Sequence, residues 1–166
     1  RYSGLSADCD TLIIIWASNE DWFRNCSDWS SRLTRAEIRI IFSTHDNFFF
    51  NNKTSTRQKT KFYDKKNKPE YAIIKDYRKA LLENKNTIDV TDFGAGSRVF
   101  KSNKRQISRI AQTAGISSKR AELLFRITQY FQPKSILEIG TSLGLATSSL
   151  ALGNPKAKLT TLEGCH

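Results

Sequence analysis

The feature that most constrains the fold is the segment of residues 135–163, where two short apolar strands flank a glycine loop and a helix. Residues 135–139 read SILEI, which predicts a strand, and residues 158–162 predict a second one. Between them, residues 141–144 predict a loop and residues 145–152 a helix. This order is the βαβ unit of doubly wound α/β proteins, whose strands lie parallel.

Glycines and glutamates occupy the points of this unit at which ligands bind. Gly140 permits a tight turn after the first strand, and Gly144 lets the backbone approach a ligand where the helix begins. Glu138 lies in the first strand and Glu163 follows the second, where a carboxylate can accept both hydroxyls of a ribose. The loop has neither a third glycine nor a Gly-Lys-Ser/Thr ending, which indicates a nucleoside without phosphates.

These residues resemble class I S-adenosylmethionine-dependent methyltransferases. Residues 136–144, ILEIGTSLG, are similar to the first motif of that family, acid-x-Gly-x-x-x-Gly, and residues 160–165, TTLEGC, to the end of its second strand. A glutamate in both places is similar to the catechol O-methyltransferase-like branch. The resemblance implies S-adenosylmethionine as the cofactor and an oxygen atom of a small molecule as the methyl acceptor, whose identity the sequence does not give.

The resemblance also implies a role for the residues of this unit. Glu138 and the glycine backbone would hold the methionine end of the cofactor, because its ammonium group needs acceptors. Thr141 and Ser142 would contact the cofactor carboxylate, and Glu163 would accept the ribose hydroxyls. No catalytic residue and no metal ligand is assigned. The implied cofactor-binding residues are Glu138, Gly140, Thr141, Ser142, Gly144 and Glu163.

Residues 61–132 predict a helical layer ahead of this unit. Pro69 suits the first turn of a helix, where its missing N–H costs nothing. Two more helices are expected, over residues 104–113 and over a segment that stops before Pro133. The first helix is amphipathic, because apolar residues recur at spacings of three and four, at Tyr71, Ile74, Tyr77 and Leu81.

The second and third of these helices leave an alternative function open. Residues 107–127 fit a helix-turn-helix DNA-binding motif, with Gly115 in the turn and Lys119 and Arg120 heading the recognition helix. Gly115 is expected to close the preceding helix in a left-handed conformation. Residues 61–132 carry 16 basic and 7 acidic side chains, a charge that suits DNA phosphates. Nucleic acid is the less favoured partner, because these helices run directly into the apolar strand and can form the helical layer of a methyltransferase.

Residues 1–60 stay unassigned and are expected to be unrelated to the rest of the chain or disordered. Residues 12–16 predict a buried strand, and residues 36–42 form a second apolar run, but no period of 2 or 3.6 extends through the segment. The sequence contains no methionine and begins with Arg1, which indicates a fragment or a mis-started reading frame.

The predicted fold is α/β: a helical N-terminal layer followed by the first βαβ unit of a doubly wound, Rossmann-like sheet, truncated. Its divisions are residues 1–60, unassigned; residues 61–132, a helical lead-in; and residues 133–166, the start of an S-adenosylmethionine-binding domain. The family needs further strands for the adenine and acceptor sites. The chain is therefore expected to bind the cofactor weakly and to turn over nothing, because methyl transfer requires donor and acceptor to be held in line.

Composition argues against a membrane protein and a disulfide framework. No run of about 18 apolar residues occurs, as a spanning helix would need. The spacings of Cys9, Cys26 and Cys165 match neither a zinc site nor a disulfide scaffold. With 39% hydrophobic and 26% charged residues, the sequence is typical of a soluble globular protein, and the expected location is the cytoplasm.

Overall fold

The computed structural model describes residues 11–17, 37–43, 48–50, 66–91, 100 and 102–164, and for most of the first three ranges it describes only the strand backbone. These residues form a mixed α/β structure. The strands are β1 (Thr11–Ala17), β2 (Glu37–Ser43), β3 (Phe48–Phe50), β4 (Thr87–Asp89), β5 (Lys104–Gln106), β6 (Ser135–Ile139) and β7 (Lys158–Leu162). The helices are α1 (Pro69–Glu83), α2 (Ile107–Thr113), α3 (Ser118–Phe131) and α4 (Leu145–Gly153).

Five strands form the main sheet in the order β3-β2-β1-β6-β7. Strand β1 pairs in parallel with β2 and with β6, and β6 pairs in parallel with β7. Strand β3 is antiparallel to β2. The predicted strands over residues 135–139 and 158–162 and the parallel unit that they form with α4 are confirmed.

The N-terminal segment supplies three strands of this sheet. The strand predicted over residues 12–16 is confirmed as β1, and the apolar run over residues 36–42 forms most of β2. Among the described elements, the sheet therefore begins ahead of the helices, and not after them as the sequence led us to expect. Strand β1 is a near-continuous apolar run, as is usual for a strand inside a parallel sheet, and such a run does not reveal its pairing partner. Cys9, Cys26 and Cys165 lie outside the described residues.

The helical layer agrees with prediction in its first and last members and differs in the middle. Pro69 occupies the first turn of α1. The predicted helix over residues 104–113 begins only at Ile107, because residues 104–106 pair with β4 as strand β5 in a two-stranded sheet. The side chain of Ser117 caps α3 by accepting a hydrogen bond from the Arg120 N–H at 3.4 Å. Helix α3 ends at Phe131, before a left-handed Gln132.

Gly115 does not adopt the left-handed conformation predicted for it. The residue that ends α2 is Ala114, in right-handed backbone conformation, and the glycine of the turn serves close packing instead. A Cβ on Gly115 would lie 2.4 Å from the Ala111 carbonyl oxygen and 2.8 Å from the side chain of Leu145, the first residue of α4. The α2–α3 turn is thus packed against the start of α4.

The hydrophobic core lies where α1, α3 and α4 meet β6. Its most deeply buried side chains are Ile74, Leu124, Phe125, Ile127, Ile136 and Leu150. Along β6, Ile136 and Glu138 are buried while the alternating Leu137 is only partly covered, as expected for a strand with helices packed on one face. Within the described part of the chain, no helix combines the length and the apolar character needed to cross a bilayer.

Candidate functional site

The glycine loop forms a tight turn between β6 and α4. Gly140 (φ 93°) and Gly144 (φ 72°) both adopt left-handed backbone, which costs glycine little and other residues more. The N–H of Gly144 donates to the Thr141 carbonyl at 2.9 Å, which closes the turn, and Gly144 is the N-cap of α4. The loop predicted over residues 141–144 is confirmed.

Glu163 joins the carboxyl end of β7 to this loop. Its Oε2 accepts a hydrogen bond from the Ser142 N–H at 2.6 Å, and its Oε1 accepts one from the Gly164 N–H at 3.0 Å. The side chain is otherwise exposed. Two backbone bonds complete the junction, because the N–H groups of Gly140 and Thr141 both donate to the Leu162 carbonyl, at 2.8 and 3.3 Å. The predicted ribose-binding acid and the predicted cofactor loop therefore lie together.

Ser142 is held in a conformation that the sequence did not indicate. Its φ of 48° is left-handed although it is not a glycine, and a residue of this kind costs about 1 to 2 kcal/mol there. The charge-assisted hydrogen bond to Glu163 stabilises that backbone. Strained backbone that neighbours hold in place is commoner at ligand sites than elsewhere.

Glu138 lies beneath the loop and not at its surface. None of its side chain is exposed, and its Oε2 accepts a hydrogen bond from the Thr147 hydroxyl at 2.6 Å. A buried carboxylate is costly unless it is hydrogen-bonded, so the hydroxyl from the first turn of α4 stabilises it. Thr147 was not among the predicted site residues. Its position three residues after Gly144 faces the strand, which is the signal that could have identified it.

The loop amides are used within the chain itself. The N–H groups that donate to protein acceptors are those of Gly140, Thr141, Ser142 and Gly144. A phosphate-binding loop must instead direct such groups at its ligand. The first turn of α4, in contrast, has no side-chain cap, and the leading amides of a helix have no intrahelical acceptor. This arrangement fits one carboxylate at the helix start better than it fits a chain of phosphates.

One side chain of the loop has a polar atom without a partner. The Thr141 hydroxyl is buried and makes no hydrogen bond. An unsatisfied buried hydroxyl costs about 1 to 3 kcal/mol, which a bound ligand with a complementary group would offset. Among the predicted site residues, Thr141 has the clearest unmet hydrogen-bonding capacity.

The loop lies at the point of the main sheet where the winding direction reverses. Strand β1 leads to its neighbour β2 on one side, and β6 leads to its neighbour β7 on the other. Strands β1 and β6 are adjacent and parallel, with Ile15 opposite Ile139, so their carboxyl ends meet at one edge. Open α/β sheets bind ligands in the crevice at such a point.

Helix α1 contributes a residue that sequence reasoning placed elsewhere. Tyr77 was expected on the inner apolar face, but it is 39% exposed, and its hydroxyl donates to the Leu143 carbonyl at 2.8 Å. The apolar spacing alone could not distinguish a core tyrosine from one whose hydroxyl reaches a loop.

The helices of the possible helix-turn-helix are present, but α3 is enclosed. Of its residues, only Lys119 and Gln129 are exposed, and the others are buried or half-buried. Glu122 forms an ion pair with Lys75 of α1 at 3.3 Å, and Arg126 donates to the Tyr71 hydroxyl of α1. A recognition helix must present a bare face to the major groove. The packing of α1 along α3 does not favour that use.

Neither a metal cluster nor a known relative adds to this site. Among the residues that the structure describes, no group of three or more His, Cys, Asp or Glu side chains could hold a metal ion. Comparison of the chain with family models, with curated proteins and with solved structures found no match.

Proposed function

We propose that the chain is the cofactor-binding part of an S-adenosylmethionine-dependent methyltransferase with a doubly wound, Rossmann-like sheet. The observation that carries the proposal is the 2.6 Å contact between the Glu163 carboxylate and the Ser142 N–H, which brings an acid after β7 to the glycine loop after β6. The reversal of winding beside β6 supports the same site, because it provides a crevice at the carboxyl ends of the strands.

Each end of the cofactor finds suitable groups in this arrangement. The Glu163 carboxylate is exposed at the loop and can accept the two ribose hydroxyls. The uncapped amides at the start of α4 suit the methionine carboxylate. Thr141 supplies an unpaired hydroxyl beside them. Glu138, buried under the loop, attracts the cofactor ammonium and, through Thr147, fixes the helix that carries those amides.

The reaction of such a methyltransferase would be attack by an acceptor oxygen on the cofactor methyl group. The carbon–oxygen bond forms as the carbon–sulfur bond breaks, S-adenosylhomocysteine leaves, and the acceptor proton passes to a base. The part of the chain that the structure describes supplies the donor side of this geometry. We therefore expect cofactor binding without turnover.

Ligand binding to the full chain tests the proposal. Isothermal titration should detect S-adenosylhomocysteine but neither ATP nor NAD, because the loop amides are already paired. Glu163→Gln should weaken S-adenosylhomocysteine binding about tenfold, since it removes a charged acceptor. Glu83→Gln, at an exposed acid paired with Lys79 on α1, is the matched control and should leave the affinity unchanged.

Two results would overturn this function. Equal or tighter binding of ATP or NAD would indicate a phosphate site. Absence of S-adenosylhomocysteine binding up to about 1 mM would remove the cofactor altogether. A gel shift of random duplex DNA that weakens steeply with salt would support the DNA-binding alternative instead.

A further inference from the structure

The hydroxyl of Tyr77 ties helix α1 to the end of the glycine loop. It donates to the Leu143 carbonyl at 2.8 Å, and it lies 3.5 Å from the point that a Cβ on Gly144 would occupy. The two residues are far apart in sequence, so the contact depends on how α1 packs against α4. A side chain of the helical lead-in thus reaches the backbone that the proposed cofactor would touch.

The carbonyl that Tyr77 binds precedes the hydrogen-bonded ladder of α4. The first bond of that helix runs from the Ser148 N–H to the Gly144 carbonyl at 2.9 Å, so Leu143 offers its carbonyl one residue too early for a helical partner. The tyrosine hydroxyl is the donor that satisfies it. The peptide between Leu143 and Gly144 therefore has its orientation fixed from outside the loop, by α1.

The first half of the glycine loop is fixed by residues at the end of β7. Ser142 is held by Glu163 after β7, and Thr141 by the Leu162 carbonyl, so the strands fix the first half of the loop. Tyr77 fixes the second half. Its exposed ring, with Ile73 one turn earlier on the same helix face and 55% exposed, leaves apolar surface of α1 open to solvent beside that contact.

We propose that Tyr77 is a positioning residue for the cofactor. It holds the Leu143–Gly144 peptide in the orientation that receives the methionine end, and its hydroxyl oxygen keeps a lone pair that can accept a hydrogen bond from the cofactor ammonium. The helical lead-in is then a wall of the binding site and not a separate layer. This inference rests on the proposed function for its ligand and on the apo geometry for the positioning.

Tyr77→Phe in the full chain tests the inference, because it removes the hydroxyl and keeps the ring. We expect faster amide hydrogen exchange across residues 141–146 without ligand, and about three- to tenfold weaker binding of S-adenosylhomocysteine. The melting temperature should stay within about 2 °C of the unmodified chain, since the substitution keeps the ring and its packing. Tyr130→Phe, which removes a hydroxyl from α3, is the control and should change neither exchange nor affinity.

Four results would overturn all or part of the proposal for Tyr77. Unchanged loop exchange in Tyr77→Phe overturns the positioning role, even if the unmodified chain binds S-adenosylhomocysteine. Faster exchange with unchanged affinity overturns the link to the ligand. Global unfolding of Tyr77→Phe would make the residue structural and would also overturn the proposal. Failure of the unmodified chain to bind S-adenosylhomocysteine removes the proposed function and the ligand part together, while the exchange measurement still reports on the loop.

Discussion

The Glu138 carboxylate and the Thr147 hydroxyl are 2.6 Å apart, and this bond joins the buried side of β6 to the first turn of α4. The strand and the helix flank the glycine loop, so the contact holds the two ends of the loop together on its buried side. Glu138 is fully buried, and a carboxylate in that position stabilises a fold only while its hydrogen bonds are intact. The same pair therefore links the stability of the protein to the shape of the proposed site.

Thr147→Val should destabilise the protein, because it keeps the shape of the side chain but removes a hydrogen-bond partner from the buried Glu138 carboxyl group. We expect a loss of about 1 to 3 kcal/mol in the free energy of unfolding, measured by urea denaturation. Thr147→Ser should lose much less, since it keeps the hydroxyl. Thr113→Val, at an exposed hydroxyl that bonds its own helix, is the control, and an equal loss there would contradict the explanation.

Gly144→Ala should weaken both the fold and the binding of S-adenosylhomocysteine. The added Cβ would make an ordinary van der Waals contact, 3.5 Å from the Tyr77 hydroxyl. The loss of stability therefore comes from the left-handed backbone and is about 1 kcal/mol. Gly144→Asn should cost less, because asparagine tolerates this conformation better. Urea denaturation and titration of the two variants measure the difference. Equal losses for alanine and asparagine would argue against a conformational origin.

Gly153→Ala should be more damaging than its place at a helix end suggests, because Gly153 is buried. A Cβ at this position would lie 2.7 Å from the Phe125 carbonyl oxygen and 2.8 Å from the Thr128 Cβ, so α3 and α4 would have to separate. We expect a loss of about 1 to 3 kcal/mol in thermal or urea unfolding. Gly164→Ala provides the comparison, since nothing lies within 4 Å of its added carbon, and it should be neutral.

The βαβ unit could be predicted from sequence because its signals are local. The apolar runs of β6 and β7, the two glycines and the break after α4 all act within a few residues, and the meeting of Glu163 with the loop follows from two parallel strands ending at one edge. The left-handed Ser142 and the Thr147 hydroxyl needed tertiary geometry, because both depend on which carboxylate lies opposite them.

The other differences have the same physical origin. Residues 104–106 have no strand pattern of their own, and they extend because Thr87 to Asp89 pair with them. The apolar run of β1 predicts a buried strand but not that β6 is its neighbour, since pairing between distant segments leaves no local mark. Tyr77 differs from its prediction for a related reason. The helical repeat marks its position as apolar, but its hydroxyl bonds the Leu143 carbonyl and holds the side chain at the loop.

The position of β1 has a consequence for how the molecule forms. Thr11 pairs with Ser135, so a central strand of the sheet is synthesised well before β6 and has to wait for it before it gains one of its two neighbours. The β6–α4–β7 unit, in contrast, closes through short-range contacts. High contact order of this kind slows folding, and it leaves an apolar β-prone segment without its β6 neighbour on the nascent chain until β6 has been made. We expect a chaperone that binds extended hydrophobic peptides to recognise that segment first.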